Sequence, residues 1–107
     1  MKAPSEHDIQ GQILSWLKLK RLFHYRQNSG AHAATYNGKK RFFRYGTPGT
    51  PDIVCIIKGQ YIGIEVKGKY GQQSQNQVCF QQELERAGGH YILARSLDDA
   101  IARINSL

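Results

Sequence analysis

Residues 51–67 read PDIVCIIKGQYIGIEVK, and this stretch decides the fold. Two runs rich in β-branched residues, 53–57 and 61–67, flank Gly59-Gln60. Gly followed by a polar residue fits a two-residue type II′ hairpin turn. That turn predicts Lys58 opposite Tyr61, Val54 opposite Glu65, and Asp52 opposite Lys67. Alternation then puts Ile53, Cys55, Ile57, Ile62, Ile64 and Val66 on one wholly apolar face, suited to a core. The other face gathers Asp52, Glu65 and Lys67 at one end. Two carboxylates and a lysine at the edge of a buried sheet are costly to desolvate unless something compensates, and a divalent metal would do so.

The segments around this hairpin predict helices and strands in a set order. Upstream, Ser5 with Asp8 three residues later reads as a capping box. Ile9, Ile13, Leu14 and Leu17 recur at helical spacing, predicting a helix over about 6–20. Glu6 falls in its first turn, where an acid complements the helix dipole. Residues 23–27 alternate aromatic and polar side chains and read as a strand, which Asn28-Ser29-Gly30 breaks. Residues 31–49 are the least core-like part. Asn37-Gly38 favours a type I′ turn, so 34–36 and 39–43 are expected to pair as a hairpin arm. Its Tyr36, Lys39, Lys40, Arg41, Phe42, Phe43, Arg44 and Tyr45 interleave cations with rings. That mix suits phosphates and bases, or equally a solvated face over half-buried rings.

Residues 46–51 form a Gly- and Pro-rich loop leading into Asp52. Downstream of Lys67, Ser74 with Gln77 predicts a second capped helix, ended by Gly88-Gly89. Residues 91–94 read as a strand, and Ser96 with Asp99 opens a last helix that turns Ala100, Ile101 and Ile104 inward. The sum is one mixed α/β domain over 1–107, with a central sheet flanked by helices.

The chain carries a net charge of +7 over 107 residues. Between Lys18 and Lys69 there are eleven Lys or Arg against two acids, Asp52 and Glu65. A basic segment around an acidic pair suggests a polyanion, most simply nucleic acid, met at a metal-holding site. Arg26, Lys39, Lys40, Arg41, Arg44 and Lys69 are the candidate DNA contacts. Cys55 and Cys79 form no C-x-x-C motif, and Cys55 on the core face reads as a buried free thiol. The N-terminus has no signal-peptide pattern, and no apolar run approaches the ~18 residues of a membrane span. A cytoplasmic location, in a bacterial or phage-infected cell, is the expectation. The four histidines lack metal spacing, and Ser29 and Ser74 have no evident His/Asp partner.

Asp52, Glu65 and Lys67 on one face suit phosphodiester hydrolysis. Carboxylates hold Mg²⁺ or Mn²⁺, and a lysine positions water or neutralises developing charge. Glu6, Asn28-Ser29-Gly30, Gly49-x-Pro51-Asp52, Glu65-Val66-Lys67-Gly68, Ser74-x-x-Gln77 and the closing strand and helix together resemble the PD-(D/E)XK nuclease superfamily, in its VRR-NUC branch. The resemblance implies a restriction-endonuclease-like αβββαβα fold. It implies that Asp52 and Glu65 ligate the metal with the Val66 backbone carbonyl, that Lys67 is catalytic, and that Gln77 is an accessory active-site residue. It gives Glu6 a second reading, as an acid approaching the metal directly or through water. It also implies a homodimer cutting branched DNA, such as Holliday junctions. Two readings from other classes stand beside it: an inert nucleic-acid-binding module of the same fold, and a restriction-type nuclease reading a sequence.

Overall fold

The computed structural model describes residues 3–27, 30–36, 39–45 and 47–107, with 30–36 and 39–45 described as backbone. In chain order the elements are α1 (Glu6–Leu19), β1 (Phe23–Arg26), β2 (Gly30–Tyr36), β3 (Lys39–Tyr45), β4 (Ile53–Ile57), β5 (Gln60–Val66), α2 (Gln75–Arg86), β6 (His90–Ala94) and α3 (Leu97–Asn105). Four strands form a mixed sheet in the order β1-β4-β5-β6. The first two pairings are antiparallel, while β5 and β6 run parallel with α2 as their crossover. β2 and β3 make a separate two-stranded ribbon. It is longer than the expected arm, pairing Gly30 with Tyr45 through Tyr36 with Lys39. The expected break at Asn28-Ser29, the expected turn at Asn37-Gly38 and the start of the loop at Gly46 lie outside the described residues.

α1 follows from its sequence. Ser5 and Asp8 close a full capping box, which satisfies two of the amides a helix start leaves free. Ile9, Ile13 and Leu17 fall on one row, four residues apart, and each is at most 1% exposed. They pack on Ile53, Cys55, Ile62, Ile64 and Val66, the apolar face of the β4–β5 hairpin, together with Ile92, Ala94 and Ala100. Burying side chains of this size contributes about 1.5–3 kcal/mol each. α3 contacts both α1 and β6, so this face of the sheet is closed. Ile104 packs on the core cluster.

Both α1 and α2 end in the same hydrogen-bond motif. Leu22 N donates to Leu17 O and Arg21 N to Lys18 O; Gly89 N donates to Leu84 O and Gly88 N to Glu85 O. This arrangement puts the residue after the cap in the left-handed region, where glycine is favoured. α2 uses Gly88 there (φ 93°), whereas α1 uses Arg21 (φ 57°).

The β4–β5 turn corrects the expected register. The turn residues are Lys58 and Gly59, with φ of 52° and 79°, and Ile57 pairs with Gln60. Two consecutive positive φ values define a type I′ turn, whose twist matches the flanking strands. The type II′ turn at Gly59-Gln60 is therefore not formed. Val54 lies opposite Gly63, not Glu65, and continuing the register places Asp52 across from Glu65 rather than Lys67. The sequence sum of each cross-strand pair moves by two, so each residue keeps the face assigned to it. Gly63 has no room for a side chain: a Cβ there would lie 2.6 Å from Pro51 Cγ and 3.4 Å from a Tyr61 ring carbon.

Candidate active site

Asp52 stands one residue before β4, and Glu65 is the second-last residue of β5, so the hairpin register brings them side by side on the sheet face opposite α1. The Asp52 carboxylate is held from the backbone: Oδ2 accepts from Val66 N at 2.8 Å. Its own carbonyl accepts from Gln27 N at 2.8 Å, which continues the β1–β4 pairing. Glu65 is 2% exposed and is the one buried charged side chain among the described residues. Burial pushes its carboxyl up to about 8; the adjacent Asp52 pushes in the same direction and Lys67 opposes it. Among the described residues neither Asp52 nor Glu65 forms an ion pair; the pair that does form joins Arg86 to Glu83 on the surface of α2. A buried carboxylate beside a second one, without a paired cation, is an electrostatic deficit.

Gln77 has two roles at once. Its Oε1 accepts from Ser74 N at 2.8 Å while Ser74 Oγ accepts from Gln77 N, completing the cap of α2. Its Nε2 donates to Glu65 Oε2 at 3.1 Å. The capping expectation for this residue is met, and the same side chain also touches Glu65. The loop before Asp52 sets how closely α2 approaches. Gly49 is left-handed (φ 82°), and a Cβ on it would collide with the Asn76 carbonyl.

Lys67 follows β5 directly, and its N–H donates to Ala94 O at 3.0 Å, extending the β5–β6 ladder. Glu6 reaches this loop from α1, with Oε1 accepting from Gly68 N at 3.1 Å. A Cβ on Gly71 would lie 3.2 Å from Glu6 Oε1 and 3.4 Å from Lys67 Cδ, so both side chains pack against that glycine. Glu6 also adds to the upward push on Glu65. Glu6 thus stands in the first turn of α1, as expected, and its carboxylate is engaged by the Gly68 amide.

Arg95 was not among the sequence candidates. Its Nη1 donates to Gly68 O at 2.6 Å and to Lys69 O at 3.5 Å, pinning the loop that carries Lys67. The signal was its place at the end of a strand, and it needed the parallel β5–β6 pairing to be read. Tyr91, also unremarked, is buried on the Glu65 face beside Gly63. Its hydroxyl has no hydrogen-bond partner among the described residues, although Gln73 lies close enough to act on it.

The DNA-contact candidates divide. Arg26 ends β1 and is exposed; Lys69 is exposed near the site with Nζ 5.5 Å from the Tyr70 ring centroid. Lys39, Lys40, Arg41 and Arg44 lie on β3, which the backbone places, and their side chains lie outside the described residues. Cys55 is buried and unpaired, its thiol pushed up to about 11 by desolvation, and Cys79 is free and exposed. His24 and His90 make hydrogen bonds, to Leu22 O and to the Gln60 side chain. No described helix is long and apolar enough to cross a membrane.

Among the described residues no three His, Cys, Asp or Glu side chains converge as a metal cluster. The donor set on offer is two carboxylates and main-chain oxygen. Those are hard ligands, matched to Mg²⁺ or Mn²⁺ with water filling the remaining positions. Burial and Asp52 oppose ionisation of Glu65, and a divalent cation between the two carboxyls would favour it, so the residues present fit such an ion.

No protein-family model and no curated protein matches the chain. A solved structure described as a VRR_NUC domain does match. It superposes with a TM-score of 0.65 at 14% identity, covering 95% of this chain and 97% of that one.

Proposed function

We propose, from the VRR_NUC fold this chain adopts, that the protein is a metal-dependent endonuclease hydrolysing phosphodiester bonds in DNA. The observation that carries it is Glu65, the one buried charged side chain among the described residues, set beside Asp52 with no ion pair to either. A bound Mg²⁺ or Mn²⁺ would acidify a water and stabilise charge on the scissile phosphate. Asp52, Glu65 and the Val66 carbonyl would hold it. Gln77 fixes one oxygen of Glu65 and Val66 N fixes one oxygen of Asp52, and the two carboxyls also interact with each other, a contact that the cation would replace. Lys67 supplies a positive group at the same edge to orient water or to offset charge on the phosphate. Glu6 acts through the Gly68 amide and, with Arg95, holds the Lys67 loop. Arg26, Lys69 and the cations of β3 draw the DNA backbone in.

The finer reading is structure selectivity, with branched DNA such as a Holliday junction cut by a homodimer in the cytoplasm. Two-fold symmetry matches a substrate with paired strands to cut. The test is cleavage of labelled duplex, single strand, flap and four-way junction with Mg²⁺ or Mn²⁺. Asp52→Ala and Lys67→Ala are each expected to reduce the rate by about 10²-fold or more, and sedimentation reports the dimer. Binding without metal-dependent cutting would favour an inert module, and cuts at fixed sequences in plain duplex a restriction-type enzyme.

A further inference from the structure

The sheet face that carries Glu65 is covered unevenly. α2 lies against β6, whereas among the described residues the β1–β4 side keeps exposed apolar side chains. Phe23, Tyr25 and Ile56 are 65%, 46% and 36% exposed. Cross-strand pairing puts Phe23 beside Ile56, Ile56 beside Tyr61, and Tyr25 beside Val54, so all of them project from the Glu65 face. The Phe23 and Tyr25 rings meet edge to face, with centroids 6.3 Å apart. Tyr61, half-buried, and Pro51, fully buried, both pack over Gly63, so Tyr61 is the member of the group nearest to Glu65 along β5. Tyr61 is four residues from Glu65 along β5, about 13 Å at the ~3.3 Å rise of a strand, a reach of a few nucleotides.

The far end of this surface is cationic, and the backbone there is strained. Arg21 and Lys58 are the two non-glycine residues with positive φ among those described. Continuing the Phe23–Ile56 register by two residues brings them to the same end of the β1–β4 pair. A left-handed conformation costs an ordinary residue about 1–2 kcal/mol, and glycine would remove the cost in either place. No acid occurs between Asp8 and Asp52. Both residues are exposed, so two cations stand at the end of the strands that carry the rings, where an anionic strand would meet them.

We propose that Phe23, Tyr25, Ile56 and Tyr61, with Arg21 and Lys58 at their end, form a stacking platform that receives an unpaired strand of the DNA and leads it to Asp52 and Glu65. The substrate class is DNA with a single-stranded segment at the cut, such as a flap, gap or open branch point, and the inference rests on the nuclease reading. Bases inside a duplex have their faces covered by their neighbours, whereas unpaired bases offer them to aromatic rings. The exposed cations Arg21 and Lys58 at its end favour a polyanion over a second copy of this chain, whose net charge is +7.

The experiment measures binding in EDTA, by anisotropy of a labelled oligothymidine and of a labelled hairpin duplex. Phe23→Ala with Tyr25→Ala is expected to weaken single-strand binding roughly tenfold or more and duplex binding far less; Tyr25→Phe keeps it. Arg21→Gly is expected to raise the melting temperature while weakening single-strand binding and flattening its salt dependence. Unchanged single-strand affinity, or equal losses for strand and duplex, would overturn the platform. So would a dimer turned to monomer by the ring substitutions, which would mark the patch as a contact between copies. The two readings separate cleanly. Ring-dependent strand binding without cleavage in Mg²⁺ or Mn²⁺ supports the platform and sinks the nuclease. Cleavage and strand binding indifferent to the rings do the reverse.

Discussion

At Glu65, burial and a neighbouring charge act in the same direction. The folded carboxyl titrates at about 8 against an ordinary value of 4.5, so the folded state holds a proton that the unfolded chain has released. That linkage stabilises the fold in full below about pH 4.5 and is lost as pH rises to about 8. Urea melts in EDTA should show wild-type stability falling across this window, and Glu65→Gln should flatten the fall. Gln77 allows a second separation at the same scale. Gln77→Glu retains a capping-box residue at the start of α2 but sets a third carboxylate against Glu65. We expect cleavage to drop roughly tenfold or more. Ser74→Ala should instead cost about 1 kcal/mol of stability through the cap. A Gln77→Glu protein that cuts like wild type would reduce this residue to a cap.

Among the elements, the loop of residues 47–50 decides how α2 meets the hairpin. Gly49→Ala must adopt a left-handed backbone and drive a methyl into the Asn76 carbonyl. A loss of about 1–3 kcal/mol in thermal or urea unfolding is expected. The elements were largely legible in the sequence because their signals are local. Ser5/Asp8 and Ser74/Gln77 cap the helices they were expected to cap, and Ile9, Ile13 and Leu17 fix the buried row. The β4–β5 turn departs from the sequence expectation for a physical reason. Sequence favours Gly at the first position of a type II′ turn, yet Lys58 accepts a left-handed backbone and the pair Lys58-Gly59 forms type I′. Gly in the second position suits a type I′ turn as well as Gly in the first suits type II′, so the local signal admits both.

At the scale of the molecule, metal binding should appear as stability. If Asp52 and Glu65 hold a cation only when the fold brings them together, Mg²⁺ or Mn²⁺ at 100 times Kd should add about 2.7 kcal/mol to unfolding. The increase should vanish in Asp52→Ala. Melting temperatures with and without metal measure this apart from any cleavage.

By itself the sequence determined what depends on near neighbours: the helices with their caps, the strand alternation, and the face on which Asp52, Glu65 and Lys67 sit, since period-two alternation survives a paired shift in register. Tertiary structure decided what depends on approach across the chain. Only folding sets Asp52 directly across from Glu65, lets Glu6 reach Gly68 from 62 residues away, and brings Arg95 from the end of β6 to the Lys67 loop. The open aromatic side of the sheet belongs to the same class. Phe23 and Tyr25 alternate visibly in the sequence, but their exposure depends on which helix covers which strands, and no local pattern encodes that.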